Sequence, residues 1–442
     1  CDETDALLER IRLSLLAGTC TPRQAVIDAL SVSTIFITPA RLEQLAQTVL
    51  CVQVTPIGPR TSPDPSQVLI PCNLPCRDPF TTAWLAKAPV RIDLAGGWTD
   101  TPPITYELPT GGAVLNVAVS LNRPTDTTPN RPIGCVVRAV KLVEAEVPST
   151  APLMLYSGNQ KIGFKSLEAL QRPIDPTEPC ALLIASLVAL DVPILLKRMI
   201  DTDTEAYSET KDLSRAISAL IGAPSGEFAR LEVECRSSLP QGSGLGGSSV
   251  LASVTLAALH GYFFGEAPDN NRLLSLVLLT EQILTTGGGW QDQVGSIFPG
   301  FKLGRSLHGL PLQVNVEAIA TSKAFKSIFE QRCFLIFSGK SRLAKSVLLD
   351  TLRAHSVLPL GDSAFTDHPA ENLVKGALAA AAALRDPQLD DECRYSELAS
   401  RLNDYWALKK QMAGPSSNPD GVVRLMEALR PICAGLSLCC AG

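Results

Sequence analysis

The feature that most constrains this 442-residue chain is the run Leu239-Pro240-Gln241-Gly242-Ser243-Gly244-Leu245-Gly246-Gly247-Ser248-Ser249. Ahead of it, Ala229 to Cys235 alternates apolar and polar residues and reads as a half-buried strand. Behind it, small and apolar residues without proline continue from Val250 to Phe264, about four helical turns. The unit is strand, glycine-rich loop, helix. Gly242, Gly244, Gly246 and Gly247 let the backbone bend and come close to a ligand. Ser248 and Ser249 fall where the helix begins, among N–H groups without intrahelical partners and at the positive end of the dipole. Such a place suits phosphate.

Several loops share this form. Gly242, Gly244 and Gly247 fit the spacing of a dinucleotide-binding fingerprint. That fold needs a second strand with an acidic residue about 20 residues on, and Asn271 to Leu284 reads as a helix instead. A Walker A loop needs Lys after its last glycine, and none is there. Gly339-Lys340-Ser341 ends like one, but Phe334 stands where its first glycine belongs. The third form, Pro-x-Gly-x-Gly-Leu-Gly-x-Ser-x, is the phosphate loop of the GHMP sugar and mevalonate kinases. Pro240, Gly242, Gly244, Leu245, Gly246 and Ser248 match it in order. From this segment alone, an ordinary glycine-rich loop stays open as a fourth reading.

The length and a 45% hydrophobic content allow two or three domains with proper cores. A net charge of −5 carries no basic footprint for nucleic acid. The longest apolar run, Ala181 to Leu190, is too short to cross a bilayer, so no membrane partner is expected. No signal peptide opens the sequence, which begins at Cys1 and reads as a piece of a longer protein. Its 13 cysteines are odd in number and scattered, which reads as reduced thiols in a cytoplasmic protein. Cys72 and Cys76 lack a second pair at metal-site spacing. The four histidines sit in no glycine-rich or acidic cluster, and none is assigned to catalysis.

Residues 1–80 read as a helical extension followed by a proline-rich linker. Beyond it, strands are expected over Trp84 to Leu94, Gly111 to Leu121, Ile133 to Val147 (one or two) and Arg332 to Phe337. Helices are expected over Glu178 to Ile200, Lys211 to Ile221, Asn271 to Leu284, Arg342 to Leu352, Glu371 to Leu384, Glu397 to Met412 and Val422 to Leu429.

Phosphoryl transfer needs a phosphate cradle, metal ligands, charge stabilisation and a group that takes the acceptor's proton. Gly242 to Ser249 offer the cradle, and Ser248 or Ser249 a hydroxyl for Mg²⁺. Glu281 is the one carboxylate in its helix. Asp292 follows the second glycine cluster, Gly287-Gly288-Gly289, and Arg91 lies on the strand ahead of a polar and aromatic loop.

This combination resembles the GHMP kinases, and within them the L-fucokinases, over roughly residues 81–442. Ala88 to Pro103 is similar to the family's first motif in its fucokinase form, and Leu239 to Ser249 to the second. Thr285-Thr286-Gly287-Gly288-Gly289-Trp290-Gln291-Asp292-Gln293 is the most specific match. The resemblance implies an α+β, two-lobed kinase. Residues 81–325 would form an N-terminal lobe related to a ribosomal-protein domain, and residues 326–442 a ferredoxin-like C-terminal lobe.

It also implies ATP held by Pro240, Gly242, Ser243, Gly244, Leu245, Gly246, Gly247, Ser248 and Ser249. Mg²⁺ would be held by Ser248, Ser249 and Glu281. The family's metal-binding Glu lies eleven residues before the catalytic Asp, the spacing of Glu281 and Asp292. Asp292 would be the general base and Arg91 would steady transition-state charge. Gly97, Trp98, Asp100, Gly289 and Trp290 would meet the sugar.

The implied reaction is ATP-dependent phosphorylation of the anomeric hydroxyl of L-fucose. An upstream nucleotidyltransferase-like region is a possible fusion partner. Where galactokinases place a Glu facing the sugar's C6 hydroxyl, this chain has Gly97. A carboxylate facing fucose's methyl would lose its partner at a cost of about 1–3 kcal/mol, while Trp98 or Trp290 offers apolar surface.

The chain departs from the pattern at Gly247, where relatives often have Ser or Thr, and in its third motif, Ser437 to Gly442, with Cys440 in place of Gly. Two other readings follow: a non-catalytic sugar- and ATP-binding relative, or a kinase for D-arabinose, galactose or a heptose phosphate.

Overall fold

The structure, a computed structural model, describes residues 78–121, 130–202, 209–240, 242–284, 288–309, 312–336, 351, 368–413 and 420–439. Two strands, β1 (Ala83–Ala88) and β2 (Val90–Ala95), precede a short helix α1 (Ile104–Glu107). Strands β3 (Ala113–Val119), β4 (Ile133–Leu142), β5 (Leu153–Ser157) and β6 (Gln160–Phe164) follow. Next come the helices α2 (Leu167–Gln171), α3 (Ala181–Ala189), α4 (Val192–Thr202) and α5 (Glu209–Leu220). The central part is β7 (Phe228–Ser237), α6 (Gly247–Phe264), α7 (Asn270–Ile283), α8 (Gln291–Ile297), β8 (Phe301–Ser306) and β9 (Val314–Ile319). Helices α9 (Lys323–Arg332), α10 (Pro369–Arg385), α11 (Asp391–Ala413) and α12 (Asp420–Leu429) come last.

The strands form two sheets, one in the order β1-β4-β7-β5-β6 and one in the order β2-β3-β8-β9. Only the β5–β7 pair is parallel among these strands. The single strand expected over Trp84 to Leu94 is two strands in different sheets. Ala88 pairs with Ile133, whereas Val90 pairs with Val119. Pro89 lies between them and has no N–H to give a ladder, so the chain changes sheet there.

Each sheet carries its own core. Ile133, Cys135, Val137 and Ala139 point inward from β4, at the two-residue spacing of a strand with one covered face. They meet α6, which is apolar around its whole circumference and so must be buried on all sides. By length and composition α6 would qualify as a membrane span, but 72% of it is buried inside the protein. The second core packs β2, β3 and β8 on α9, α10 and α11. Phe301 meets Phe325 and Phe329 edge-on, with ring centroids 5.5 and 5.1 Å apart. Ala377, Ala380 and Ala381 let α10 lie close to the sheet.

Other expectations are corrected here. The helix read over Glu178 to Ile200 breaks at Leu190-Asp191, where Asp191 takes a left-handed conformation that its short polar side chain tolerates. The strand region from Ile133 to Val147 ends at Leu142 and turns into a 3₁₀ segment, Glu144–Ser149. The strand expected over Arg332 to Phe337 is absent from the described residues. Arg332 ends α9, and Phe334, Leu335 and Ile336 are exposed without sheet partners among the described residues. Helix α8 and strands β5, β6, β8 and β9 were not anticipated. The helices expected before residue 80, Gly339 to Ser341, and the helix over Arg342 to Leu352 apart from Thr351 lie outside the described residues.

Gly96 joins the two halves of the second core. Its φ is +84°, and an added Cβ would strike the Ala113 carbonyl oxygen and come within 2.8 Å of Ala377 Cβ. Gly96→Ala is therefore expected to destabilise by about 2–4 kcal/mol, from left-handed strain plus overpacking. Gly158→Ala, with a φ of +57° and open space around it, should lose only the strain. Urea midpoints of the two variants, compared at equal m-values, check this; equal losses would refute the packing argument.

Candidate active site

The glycine-rich loop follows β7 and opens α6. Gly242, Gly244 and Gly246 have φ of +73°, +73° and +71°, conformations that side chains resist. Leu245 is buried and anchors the loop, while Pro240 is exposed and its carbonyl accepts from the Ser243 N–H at 3.2 Å. Gln241 lies outside the described residues. At the start of α6, Ser248 is exposed and Ser249 is buried. A Cβ added at Gly247 would meet nothing within 4 Å, so the Ser or Thr common in relatives would fit without rearrangement.

Ser249 turns its hydroxyl inward, onto Glu281 Oε1 of α7. Gln293 Nε2 donates to Glu281 Oε2 at 2.8 Å. Gly288 passes so close that an added Cβ would lie 3.1 Å from that same oxygen. Burial, with the Asp292 charge adding to it and the Ser249 hydrogen bond opposing it, pushes the Glu281 carboxyl up to about 8. A buried carboxylate beside a hydroxyl and a second acid fits a hard divalent cation, which would reverse this penalty.

Asp292 lies in the first turn of α8, its side chain 24% exposed. It faces the glycine-rich loop: a Cβ on Gly246 would come within 3.0 Å of Asp292 Cγ and 3.1 Å of Oδ2. Its other oxygen, Oδ1, accepts from Arg91 Nη2. Arg91 is wholly buried, and its Nη1 donates to Asp93 Oδ1 at 2.7 Å. The guanidinium is thus shared between two acids, one on its own strand and one on α8. The structure brings together Gly246, Ser249, Glu281, Asp292 and Arg91 from four separate stretches of chain.

The residues expected to meet the sugar lie beside this group and are mostly buried. Trp290 is fully buried, packs on Tyr106, Val114, Leu274 and Val294, and donates its indole N–H to Thr105 Oγ1 at 3.3 Å. Trp98 is buried in the second core. Both indoles are enclosed by protein packing here.

Asp100 is also fully buried. It accepts the Trp98 N–H at 3.0 Å and the Gln291 N–H at 3.1 Å, which binds the first-motif loop to α8. Burial raises its carboxyl to about 7, helped by the Asp292 charge and opposed by the Gln291 N–H. Gly289 leaves no room for a side chain, because its Cβ would lie 2.6 Å from Asp100 Cγ. At Gly97 an added Cβ would run into the Tyr405 hydroxyl and lie 3.1 Å from Asp93 Oδ2. The space of a side chain at 97 is filled from α11.

Four residues escaped the sequence reading. Asp93 accepts from Arg91, from the Tyr405 hydroxyl, and from Lys409 Nζ at 3.3 Å. Burial alone would raise its carboxyl, but Lys409, Arg91 and Tyr405 outweigh burial and hold it far below the usual range. Lys409 is itself buried, lies 5.3 Å from the Trp98 ring, and donates to the Leu438 carbonyl at 3.1 Å. That carbonyl belongs to the third motif, of which Cys440 to Gly442 lie outside the described residues. Lys302, fully buried on β8, donates to the Gly295 carbonyl at 2.7 Å and the Gly300 carbonyl at 3.2 Å, closing the end of α8. Burial and the Arg91 charge lower its ammonium to about 7. The i, i+4 spacing of Tyr405 and Lys409 marks one helical face; nothing in sequence ties that face to Asp93.

Residues 211–300 match the model described as the GHMP kinases N terminal domain. This range takes in most of α5 and everything from β7 through α8. The bifunctional fucokinase/GDP-fucose pyrophosphorylase of Arabidopsis thaliana is 27% identical over 356 residues, covering 80% of this chain and 28% of that protein. The L-fucokinase/L-fucose-1-P guanylyltransferase of Bacteroides fragilis is 31% identical over 270 residues, 60% of this chain and 25% of that protein. The chain thus spans about a quarter of the length of these relatives. A Lin0012 protein from Listeria innocua shares the fold, with a TM-score of 0.52 at 11% identity over 81% of this chain and 89% of that one. The glycine-rich loop, Glu281 and Asp292 are brought together inside the matched segment, so residues 211–300 carry a domain similar to the N-terminal domain of the GHMP kinases.

Proposed function

We propose that this chain transfers the γ-phosphoryl group of ATP to the anomeric hydroxyl of L-fucose. The observation that carries the reading is the position of Asp292, between the glycine-rich loop at Gly246 and the buried Arg91. A group that takes a proton while phosphate is held nearby must stand at such a junction. The choice of L-fucose rests on the names of the two relatives, both fucokinases. Both names carry a second, nucleotide-sugar-forming activity, and the chain matches about a quarter of each protein. We therefore read the chain as a kinase portion that works beside a nucleotidyltransferase-like region.

In this mechanism, N–H groups of the loop and of the first turn of α6 hold phosphate oxygens. Ser248, Ser249 and Glu281 would hold Mg²⁺, which when bound neutralises phosphate charge. Asp292 Oδ2, on the loop side, takes the proton of the sugar hydroxyl as its oxygen attacks phosphorus, and ADP leaves. Arg91 is too deeply buried to touch the phosphoryl group. Its part is to hold Asp292 Oδ1 and so aim the other oxygen, which replaces the direct charge-stabilising role expected from sequence.

The reaction is tested by coupled ADP release with L-fucose, D-galactose, L-galactose and D-arabinose. L-Fucose should give the highest kcat/KM. ADP release that no sugar stimulates, or a preference for D-galactose, would remove the proposal.

The metal assignment makes a separate forecast. Glu281 has a raised folded-state pKa, so its contribution to stability is complete below its unfolded value of 4.5 and is lost as pH rises through about 8. Without metal, the wild-type protein should melt lower at about pH 8 than at about pH 5. Glu281→Gln should shrink this difference by at least about 1 °C, what about 1 kcal/mol gives in a chain of this size. The same variant should lose Mg²⁺-dependent turnover while sugar binding persists. Unchanged Mg²⁺ dependence, or an unchanged pH profile of melting, would show that Glu281 is not the metal carboxylate.

A further inference from the structure

A line of buried contacts runs from the C-terminal segment to Asp292. The Leu438 carbonyl accepts from Lys409, Lys409 and Tyr405 donate to Asp93 Oδ2, and Asp93 Oδ1 accepts from Arg91, which donates onward to Asp292. Lys409, Asp93 and Arg91 are all at most 2% exposed, so water does not substitute for any of these partners. The charges balance along the line: two cations, Lys409 and Arg91, alternate with two carboxylates, Asp93 and Asp292. Gly97 belongs to the same device, because only a residue without a side chain leaves room for the Tyr405 hydroxyl beside Asp93.

We propose that Tyr405 and Lys409 are positioning residues: by satisfying Asp93 Oδ2 from α11, they keep Arg91 divided between Asp93 and Asp292 and so set the base. The physical reason is competition. A guanidinium forms its strongest pairing when both nitrogens meet one carboxylate as a fork. With Tyr405 and Lys409 on Asp93 Oδ2, Arg91 meets Asp93 through Nη1 at Oδ1, and Nη2 goes to Asp292. Removing a donor from Oδ2 opens the forked pairing with Asp93 and draws Arg91 away from Asp292. The helix that carries both donors lies some 110 residues beyond Asp292 in sequence, so the C-terminal lobe would complete the site without touching the substrate.

This inference rests on the proposed phosphoryl transfer, and its test separates the two. Tyr405→Phe removes one hydroxyl and keeps the ring. With L-fucose it should lower kcat about tenfold while KM for sugar and for ATP changes less than about twofold. In an Asp292→Asn background the same change should cost nothing further, since groups acting through one contact are not additive. An equal loss in both backgrounds, or a loss seen only in KM or melting temperature, would overturn the proposal. A crystal structure of Tyr405→Phe needs no substrate. Arg91 should there pair with both oxygens of Asp93 and leave Asp292; an unchanged Arg91–Asp292 contact would overturn the proposal even if kcat fell. A wild type inactive on every sugar would refute the proposed reaction, and the crystal structure alone would then decide the positioning claim. Lys409→Met provides the parallel case if the phenylalanine variant does not fold.

Discussion

A buried guanidinium without partners costs several kcal/mol even after the protein relaxes around it. Arg91 is buried completely, and the fold answers that cost with carboxylates from two directions, Asp93 on the same strand and Asp292 on α8. Satisfying this one side chain ties together elements that are far apart in sequence. Strand β2 must end one sheet just after Pro89 closes the other, α8 must begin beside it, and α11 must reach Asp93. Gly295 belongs to the same requirement, since a Cβ there would lie 2.6 Å from Arg91 Cβ. Lys302 fixes the far end of α8 from β8. The position of Asp292 therefore depends on both ends of its short helix and on both packed cores.

Around Asp292 the protein holds two further carboxyls where ionisation is costly. Asp100 and Glu281 are both pushed up by burial and further by the Asp292 charge. Most folded proteins avoid such clusters, since like charges in a low dielectric repel strongly. Here the cluster opens toward the start of α6, where N–H groups and the helix dipole favour anions. In our reading these opposite preferences are resolved together, by a divalent cation among the carboxylates and phosphate on the N–H groups. The metal-free protein would then be less stable than its fold allows, the usual cost of a preorganised site.

The parts of the site that follow one another along the chain were legible in sequence. The spacing of Gly242, Gly244 and Gly246 announced a freely bending loop, whose glycines take positive φ, and the apolar run after it announced a helix, which is buried in the core. Asp292 and Glu281 stood out because each is a lone acid in apolar or glycine-rich surroundings. What sequence did not carry was the third dimension of the first motif. Trp98 and Trp290 read as apolar surface for a sugar methyl, and the structure shows both buried, where an indole removes a large apolar area from water. Asp100 read as a sugar ligand, and sequence gave no sign that its carboxylate also accepts two main-chain N–H groups. Tyr405 and Lys409 gave only a helical spacing. Their meaning comes from Asp93, more than 300 residues earlier, and no local pattern records a contact of that range. The strand expected over Arg332 to Phe337 is absent among the described residues for a related reason: a run of Phe, Leu and Ile favours a strand only where a partner strand lies beside it, and none does among those residues.

The central claim is that Asp292 takes the proton of the sugar hydroxyl, and Asp292→Asn tests it most directly. The amide keeps the shape and can still accept from Arg91 through its carbonyl oxygen, but it cannot take a proton. Turnover with L-fucose and the melting temperature should be measured on the same sample. The account predicts turnover lower by about 10²- to 10⁴-fold, with affinities for sugar and ATP little changed and the fold intact. Near-normal turnover per folded molecule would contradict it, leaving Asp292 as no more than the partner of a buried arginine.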